Sequence, residues 1–468
     1  MKISILIITL LIHIIARANE FEDWFSTQNQ IASTGLFANI NRADSRPGTV
    51  VASPSKSRPD YYYHWVRDAS LVMLTIERLY QESKLNGAGT QQDLLALLKD
   101  YADITRIHQQ KQTPAGMGEV KYHVDGNPFT GSWGRPQNDG PALRALTFIK
   151  YARILMAQGQ ISYVKEVLYD SRQPSQSIIK KDLEYVSHNW QQHDFDLWEE
   201  SMGHHFFTRI CQRRALLEGA ELARQMGDHG AASWYDQQAR ALESQISSHW
   251  DEQRGFLRTA NNRSGGIDYK QGLDSSVIIA AIEMQKDGDQ FFSILDDRYM
   301  ATANKLRQTF ANIYSINKNY PHLGTAIGRY PEDQYDGYDT GKIGNPWLLT
   351  TMSFASYYYK IARALKQNGR LKVTYRNRDF YAHLANTIGL ESDQLTHARV
   401  FKQGEKMFDG LVHALIEEGD RYVARVRFHL GPDGAMSEQM NRESGYMQGA
   451  AHLTWSYSSF INAFLDRP

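Results

Sequence analysis

Apolar positions recur along this chain at helical spacing almost from end to end. Leu71, Val72, Thr75, Ile76 and Leu79 lie at i, i+1, i+4, i+5 and i+8, which is one face of an α-helix. Leu94, Leu95, Leu98, Tyr101 and Ile104 repeat the pattern, as do Leu143, Leu146, Ile149, Tyr151, Ile154 and Leu155, and then Ile178, Ile179, Leu183 and Val186. Further runs begin near Phe206, Ala231, Ser275, Arg298, Pro346, Arg378, Gly404 and Gly449. Alternating, strand-like stretches are few and short, so the pattern predicts an almost all-α chain.

A second regularity overlies the first. Clusters of polar and aromatic residues stand just before helix starts near residues 69, 141, 205, 275, 346 and 449. The first five of these starts follow at intervals of roughly 65 to 72 residues, about two helices with their loops. The longer last interval predicts an insertion around residues 368–400. Helix pairs whose alternate members carry chemistry at one end imply a closed ring of six pairs, with six loops meeting at one pocket.

The N-terminus modifies this picture. Lys2 precedes an apolar run from Ile3 to Ile15, broken only by Ser4, Thr9 and His13, and Ala16-Arg17-Ala18 supplies small residues at a peptidase site. The run is short for a membrane span, so residues 1–18 are expected to be a removable secretion signal. Residues 19–468 are then expected to form a single domain with no accessory binding module. The one cysteine, Cys211, excludes an intramolecular disulfide. Formal net charge is zero and no basic stripe stands out, which disfavours nucleic-acid and anionic-membrane partners. The expected state is a monomer that needs no membrane once the signal is removed.

Composition adds 26 Tyr and 9 Trp, which suit either a Tyr-rich helical core or a cleft that stacks sugar rings. Position favours the cleft for tryptophan, because Trp65, Trp133, Trp198, Trp347 and Trp455 lie in or beside the clusters. The clusters also hold acids and arginines: Arg67-Asp68 opens a helix, and Arg329 stands before Glu332-Asp333. Glu199 and Glu200 follow Trp198 at what reads as the start of a helical run, where neighbouring residues diverge by about 100° and only one can face a given bond. A second carboxylate must come from elsewhere, and Glu438 stands before the last inner helix. No HExxH pair, GxxxxGK loop or G-x-S-x-G elbow occurs, and the adjacent His204-His205 do not form a metal pair, so neither metal nor cofactor is expected.

These segments together resemble glycoside hydrolase family 15. The resemblance rests on YYYHWVRD, GEVKYHVDG with TGSWGRPQNDGPALRA, DFDLWEESMGHHFFT, GRYPEDQYDG with GNPW, and SEQ with LTWSY, in family order from about residue 60 to 461. It implies an (α/α)6 barrel and an exo-acting, inverting α-glucosidase that releases β-D-glucose from α-1,4 and, more slowly, α-1,6 glucans. It further implies that Glu199 is the general acid and Glu438 the general base. Carboxyl groups of such a pair stand roughly 6.5–9.5 Å apart to admit water. Burial against tryptophan is expected to keep Glu199 protonated, and a more polar site to keep Glu438 charged. Asp68, Arg67, Arg329, Asp196 and Glu200 would bind sugar hydroxyls, with Trp133 walling the next subsite, Tyr61 beneath the terminal ring, and Trp65 and Trp347 as aromatic walls. Met440 departs from the pattern, standing where relatives carry a tyrosine near the base. The segment QYDGYDTGKIG is long and is expected to reshape the outer subsites. Glucodextranase-like or trehalase-like specificity, or a non-catalytic glycan-binding toroid, are the alternatives.

Overall fold

The computed structural model describes the backbone of residues 2–86 and 89–468 and the side chains of residues 20–83 and 91–468. The side chains of the expected leader therefore lie outside the described residues. Twelve helices build the fold: α1 (Lys2–Ala38), α2 (Val66–Asn86), α3 (Gly89–Gln110), α4 (Asp139–Ala157), α5 (Ile178–Asn189) and α6 (Phe206–Gln225) in the first half. The second half adds α7 (His229–Ser247), α8 (Ser276–Glu283), α9 (Asp297–Ile313), α10 (Leu348–Asn368), α11 (Lys406–His429) and α12 (Thr454–Asp466).

Even-numbered helices pack one on the next from α2 to α12, and α12 returns against α2, which closes a ring. Each odd-numbered helix packs on the outside of an even neighbour: α1 on α12, α3 on α2, α5 on α4, α7 on α6, α9 on α8 and α11 on α10. This is the predicted toroid of six helix pairs.

Burial follows from the layering. On α10, Tyr357, Tyr358 and Tyr359 are all buried although consecutive residues point about 100° apart, so that part of the helix has no solvent face. On α7, Ala232, Tyr235, Gln238, Ala239, Leu242 and Ile246 are buried on one stripe, as an outer helix requires. The tyrosine excess is thus mostly core, with Tyr80, Tyr101, Tyr235, Tyr299, Tyr314 and Tyr381 also buried.

Short strand pairs brace the ends of the inner helices. β1 (His64–Trp65) pairs with β2 (Lys121–Tyr122); β3 (Asp194–Phe195), β4 (Ser201–His205) and β5 (Ala260–Gly266) form one antiparallel sheet; β6 (Gln439–Met440) pairs with β7 (Met447–Gln448). Two readings of the sequence change here. Strand β4 lies between Glu199-Glu200 and α6, so those acids and the His204-His205 pair are not helical. The last inner helix starts at Thr454, not near Gly449, because β6 and β7 occupy the intervening chain. The long last interval is filled by strands Arg370–Lys372 and Val400–Lys402, which pair, and by the helix Arg378–Thr387.

Candidate active site

The entrances of the inner helices open into one cavity of about 600 Å³. Tyr61, Trp65, Arg67, Asp68, Trp133, Glu199, Glu200, Arg329, Trp347 and Glu438 all stand on its wall. Trp198 and Trp455 join them, so the five cluster tryptophans singled out in the sequence share one cavity. The entrance of α8 contributes from behind rather than on the surface.

Glu199 sits on a turn between β3 and β4 with φ +66°, a left-handed conformation that costs a non-glycine residue of order 1 kcal/mol. Three bonds to Asp196 impose it. The Asp196 carbonyl accepts from Glu199 N at 2.8 Å, and its Oδ1 accepts from the N–H groups of Glu200 (2.7 Å) and Ser201 (3.0 Å). Gly134 closes over the turn: a Cβ there would lie 2.7 Å from both Glu199 O and Phe195 Cδ1. The Glu199 carboxylate is then caught between donors. Oε1 accepts from Trp65 Nε1 (2.8 Å), Arg67 Nη2 (3.2 Å) and Gln137 Nε2 (3.2 Å), and Oε2 from Trp133 Nε1 (2.7 Å).

The turn also separates the two acids, as a helix would have done for a different reason. Glu200 faces away to accept from Arg329 Nη2 at 2.8 Å and from the Tyr330 hydroxyl at 2.6 Å. Burial raises its pKa, with Arg329 pulling it back. Arg329 is itself fixed by Asp333, at 2.8 and 2.5 Å.

Asp196 is the expected sugar-binding residue that the structure does not place on the cavity wall. It is buried behind the turn and paired with Lys270 Nζ at 2.6 Å. Burial alone would raise its pKa, but Lys270 holds it well below the usual carboxylate range. Lys270 also pairs with Asp274 at 2.9 Å, and Asp274 accepts from Trp198 Nε1 at 3.0 Å. The α8 entrance therefore supports the acid-bearing turn and one cavity indole through a buried cation.

Glu438 occupies a different setting. Its backbone is tied on both sides, Glu438 N to Ala450 O at 2.9 Å and Leu348 N to Glu438 O at 3.1 Å. Its side chain is fully buried, and Oε1 has no hydrogen-bond partner among the described residues. Burial pushes its pKa up to about 8, with the Tyr61 hydroxyl and Arg329 pulling it back only part of the way. The expectation of a more polar site that keeps Glu438 charged is thus corrected for the free pocket. Tyr61 and Tyr335 bond to each other through their hydroxyls at 2.9 Å beside this carboxyl, while Met440 is buried in β6. Tyr335 supplies this phenol from the loop after Arg329. Tyr338 and Thr340 of the same long loop also line the cavity.

Asp68 lies at the start of α2 with a carboxyl raised to about 6 by burial and lowered by the Arg67 guanidinium, 3.8 Å away. Sequence reasoning did not single out Lys121, Tyr335 or Gln137 as site residues. The five-tryptophan bias pointed at Trp455; Lys121 and Gln137 carry no signal beyond their place in the clusters.

A helical toroid that gathers two remote carboxylates, two buried arginines and five indoles in one cavity defines the site of an acid–base glycosidase. The sequence profile of Glycosyl hydrolases family 15 matches residues 30–465, and the chain belongs to that family. It is 37% identical over 464 residues to a glucoamylase of Blastobotrys adeninivorans, covering 96% of this chain and 72% of that one. With glucoamylase 1 of Rhizopus oryzae the identity is 36% over 443 residues, covering 94% and 70%. The glucoamylase structure from Saccharomycopsis fibuligera superposes with a TM-score of 0.86 at 30% identity, covering 96% and 95% of the two chains.

Proposed function

We propose that Glu199 and Glu438 run a single-displacement hydrolysis at the non-reducing end of an α-glucan. The chain is a glucan 1,4-α-glucosidase, a glucoamylase of family 15. What carries the assignment of roles is that these two carboxyls, remote in sequence, face one cavity in opposite states of solvation and bonding. Glu199 gives its proton to the glycosidic oxygen as the bond to the leaving chain breaks. Glu438 takes a proton from the water that attacks the opposite face of the anomeric carbon, so the configuration inverts. Positive charge on the sugar ring in the transition state favours the ionised form of Glu438, against the burial that disfavours it in the free pocket. Glu200 with Arg329, and Asp68 with Arg67, present paired acceptors and donors to sugar hydroxyls, a pattern that rejects rings lacking them.

The test is the anomer of the first glucose released from maltotriose, followed by proton NMR before mutarotation. β-Glucose is the expected product; α-glucose, or no turnover, would overturn the mechanism. Relative rates on isomaltotriose and trehalose then separate glucoamylase from the other specificities. Secretion belongs to the same proposal and rests on the residue 1–18 pattern. Protein collected from the culture medium of an expressing host should begin at Asn19, and retention of an intact N-terminus inside the cells would remove the leader.

A further inference from the structure

The segment that lengthens the last interval, residues 368–400, has no place on the cavity wall. It begins where α10 ends. That helix runs from Trp347, at the cavity, to Asn368, roughly 30 Å at 1.5 Å per residue. The segment thus lies at the end of the toroid away from the cavity. Its loops bring Tyr375, Arg376 and His397 beside Trp250, which lies on the short strand Trp250–Asp251.

Flat groups meet there. The Arg376 guanidinium carbon is 4.7 Å from the ring centre of Tyr375 and 4.9 Å from that of Trp250. The His397 ring stands 6.0 Å from that of Tyr375. One carboxylate fixes the set: Glu252 accepts from Trp250 Nε1 at 2.5 Å, Arg376 Nη2 at 2.9 Å and the Tyr375 hydroxyl at 3.0 Å. These bonds, the indole's foremost, hold the Glu252 carboxyl down to about 2. Rings tied by their polar edges lose little freedom when a ligand lands on their faces. Tyr375 is 57% exposed although its hydroxyl is bonded, so its ring face meets solvent.

Charge and shape select the occupant. Arg376 is matched by Glu252 and stands 3.7 Å from Asp297, so its charge is already answered and no phosphate or acidic chain is called for. Aromatic faces without net charge suit the C–H faces of sugar rings. His397 is exposed, and its ring nitrogens can meet hydroxyls.

We propose that Trp250, Tyr375, Arg376 and His397 form a second glucan-binding site, which takes the sugar faces of a polymeric α-glucan at the end of the toroid remote from the cavity. A maltotriose held in the cavity does not reach it, whereas a long chain or a granule surface does. The site keeps the enzyme on its polymer between cleavages and takes no part in the chemistry.

The probe is β-cyclodextrin, a ring of α-1,4-linked glucose with no non-reducing end for the cavity to hold. Isothermal titration should show wild type binding it and Tyr375→Ala binding it ~3–10-fold more weakly, the worth of one stacking contact. Tyr375→Phe, which keeps the ring, should bind like wild type. In a second measurement, Tyr375→Ala should leave more protein in solution over insoluble starch, with kcat/KM on maltotriose unchanged. No binding of the cyclodextrin by wild type, or equal binding by wild type and Tyr375→Ala, overturns the proposal. A wild-type dimer that Tyr375→Ala dissociates would assign the face to a second copy of the chain, and overturns it too. Failure of wild type to cleave maltotriose would count against the cavity reading, which the cyclodextrin titration does not touch.

Discussion

The two halves of the active site are held by opposite means. Glu199 is pinned by directional bonds: four N–H donors converge on its carboxylate, and three more bonds tie its turn to Asp196. Glu438 has few bonds to its carboxyl and is held by its backbone, by Gly449 packed against it, and by exclusion of water. An acid fixed by donors is sensitive to the loss of any partner. A carboxyl fixed by packing is sensitive to volume, and it carries a desolvation cost.

The largest effects should come from the carboxyls. Glu199→Gln and Glu438→Gln are each expected to lower kcat by ~10²–10⁴-fold. The contrast predicts a difference in KM. The amide nitrogen of Gln at position 199 would face the indole N–H donors of Trp65 or Trp133, so its substrate pocket should be disturbed. Gln at position 438 meets no such donors, and its KM should stay close to wild type. Steady-state kinetics on maltotriose checks both, and equal KM changes would dissolve the distinction.

Next in size is Gly449→Ala. Gly449 has φ +76°, and a Cβ there would overlap Glu438 Oε2. The variant strains the turn and pushes the Glu438 carboxyl aside; if that carboxyl is the proposed base, displacement by about 1 Å costs ~10²-fold. The expected signature is a lower kcat with a far-ultraviolet spectrum like wild type. Retained activity would mean that packing does not position Glu438.

Much of this was legible in the chain. Helix-pair spacing marked the toroid because every inner helix needs an outer one to bury its other faces, which imposes a regular period. The five clustered tryptophans marked the cavity because loops rarely carry indoles for core packing. What was not legible depends on pairing across the chain. SMGHH became a strand because β5, some sixty residues away, pairs with it, and no local alternation announces that. Asp196 moved behind the wall because Lys270, on another loop, claims its carboxylate. Lys121 went unremarked in the sequence because the four rings around it come from two segments, Tyr63 with Trp65 and Phe129 with Trp133, that only the fold brings together. The solvation of Glu438 is a property of the closed toroid and has no local code.

The smallest predicted effect is also the most direct measure of the asymmetry. The folded pKa of Glu438 is raised by burial from 4.5 to about 8, so the native state holds a proton that the unfolded chain has released across that window. Stability therefore falls as pH rises from about 4.5 to about 8, and the penalty is constant above that range. Glu438→Gln removes the charge while keeping the shape, and should be more stable than wild type at pH 8 by an amount on the order of 2–4 kcal/mol. At pH 4, where wild type is protonated in both states, the advantage should vanish. Glu199→Gln disrupts an acceptor already matched by donors, and should lower the melting temperature at both pH values. Thermal unfolding of the three proteins at pH 4 and pH 8 makes the comparison. If Glu438→Gln gains nothing at pH 8, the carboxyl is better solvated than its burial implies, and the two halves of the site differ only in their bonds.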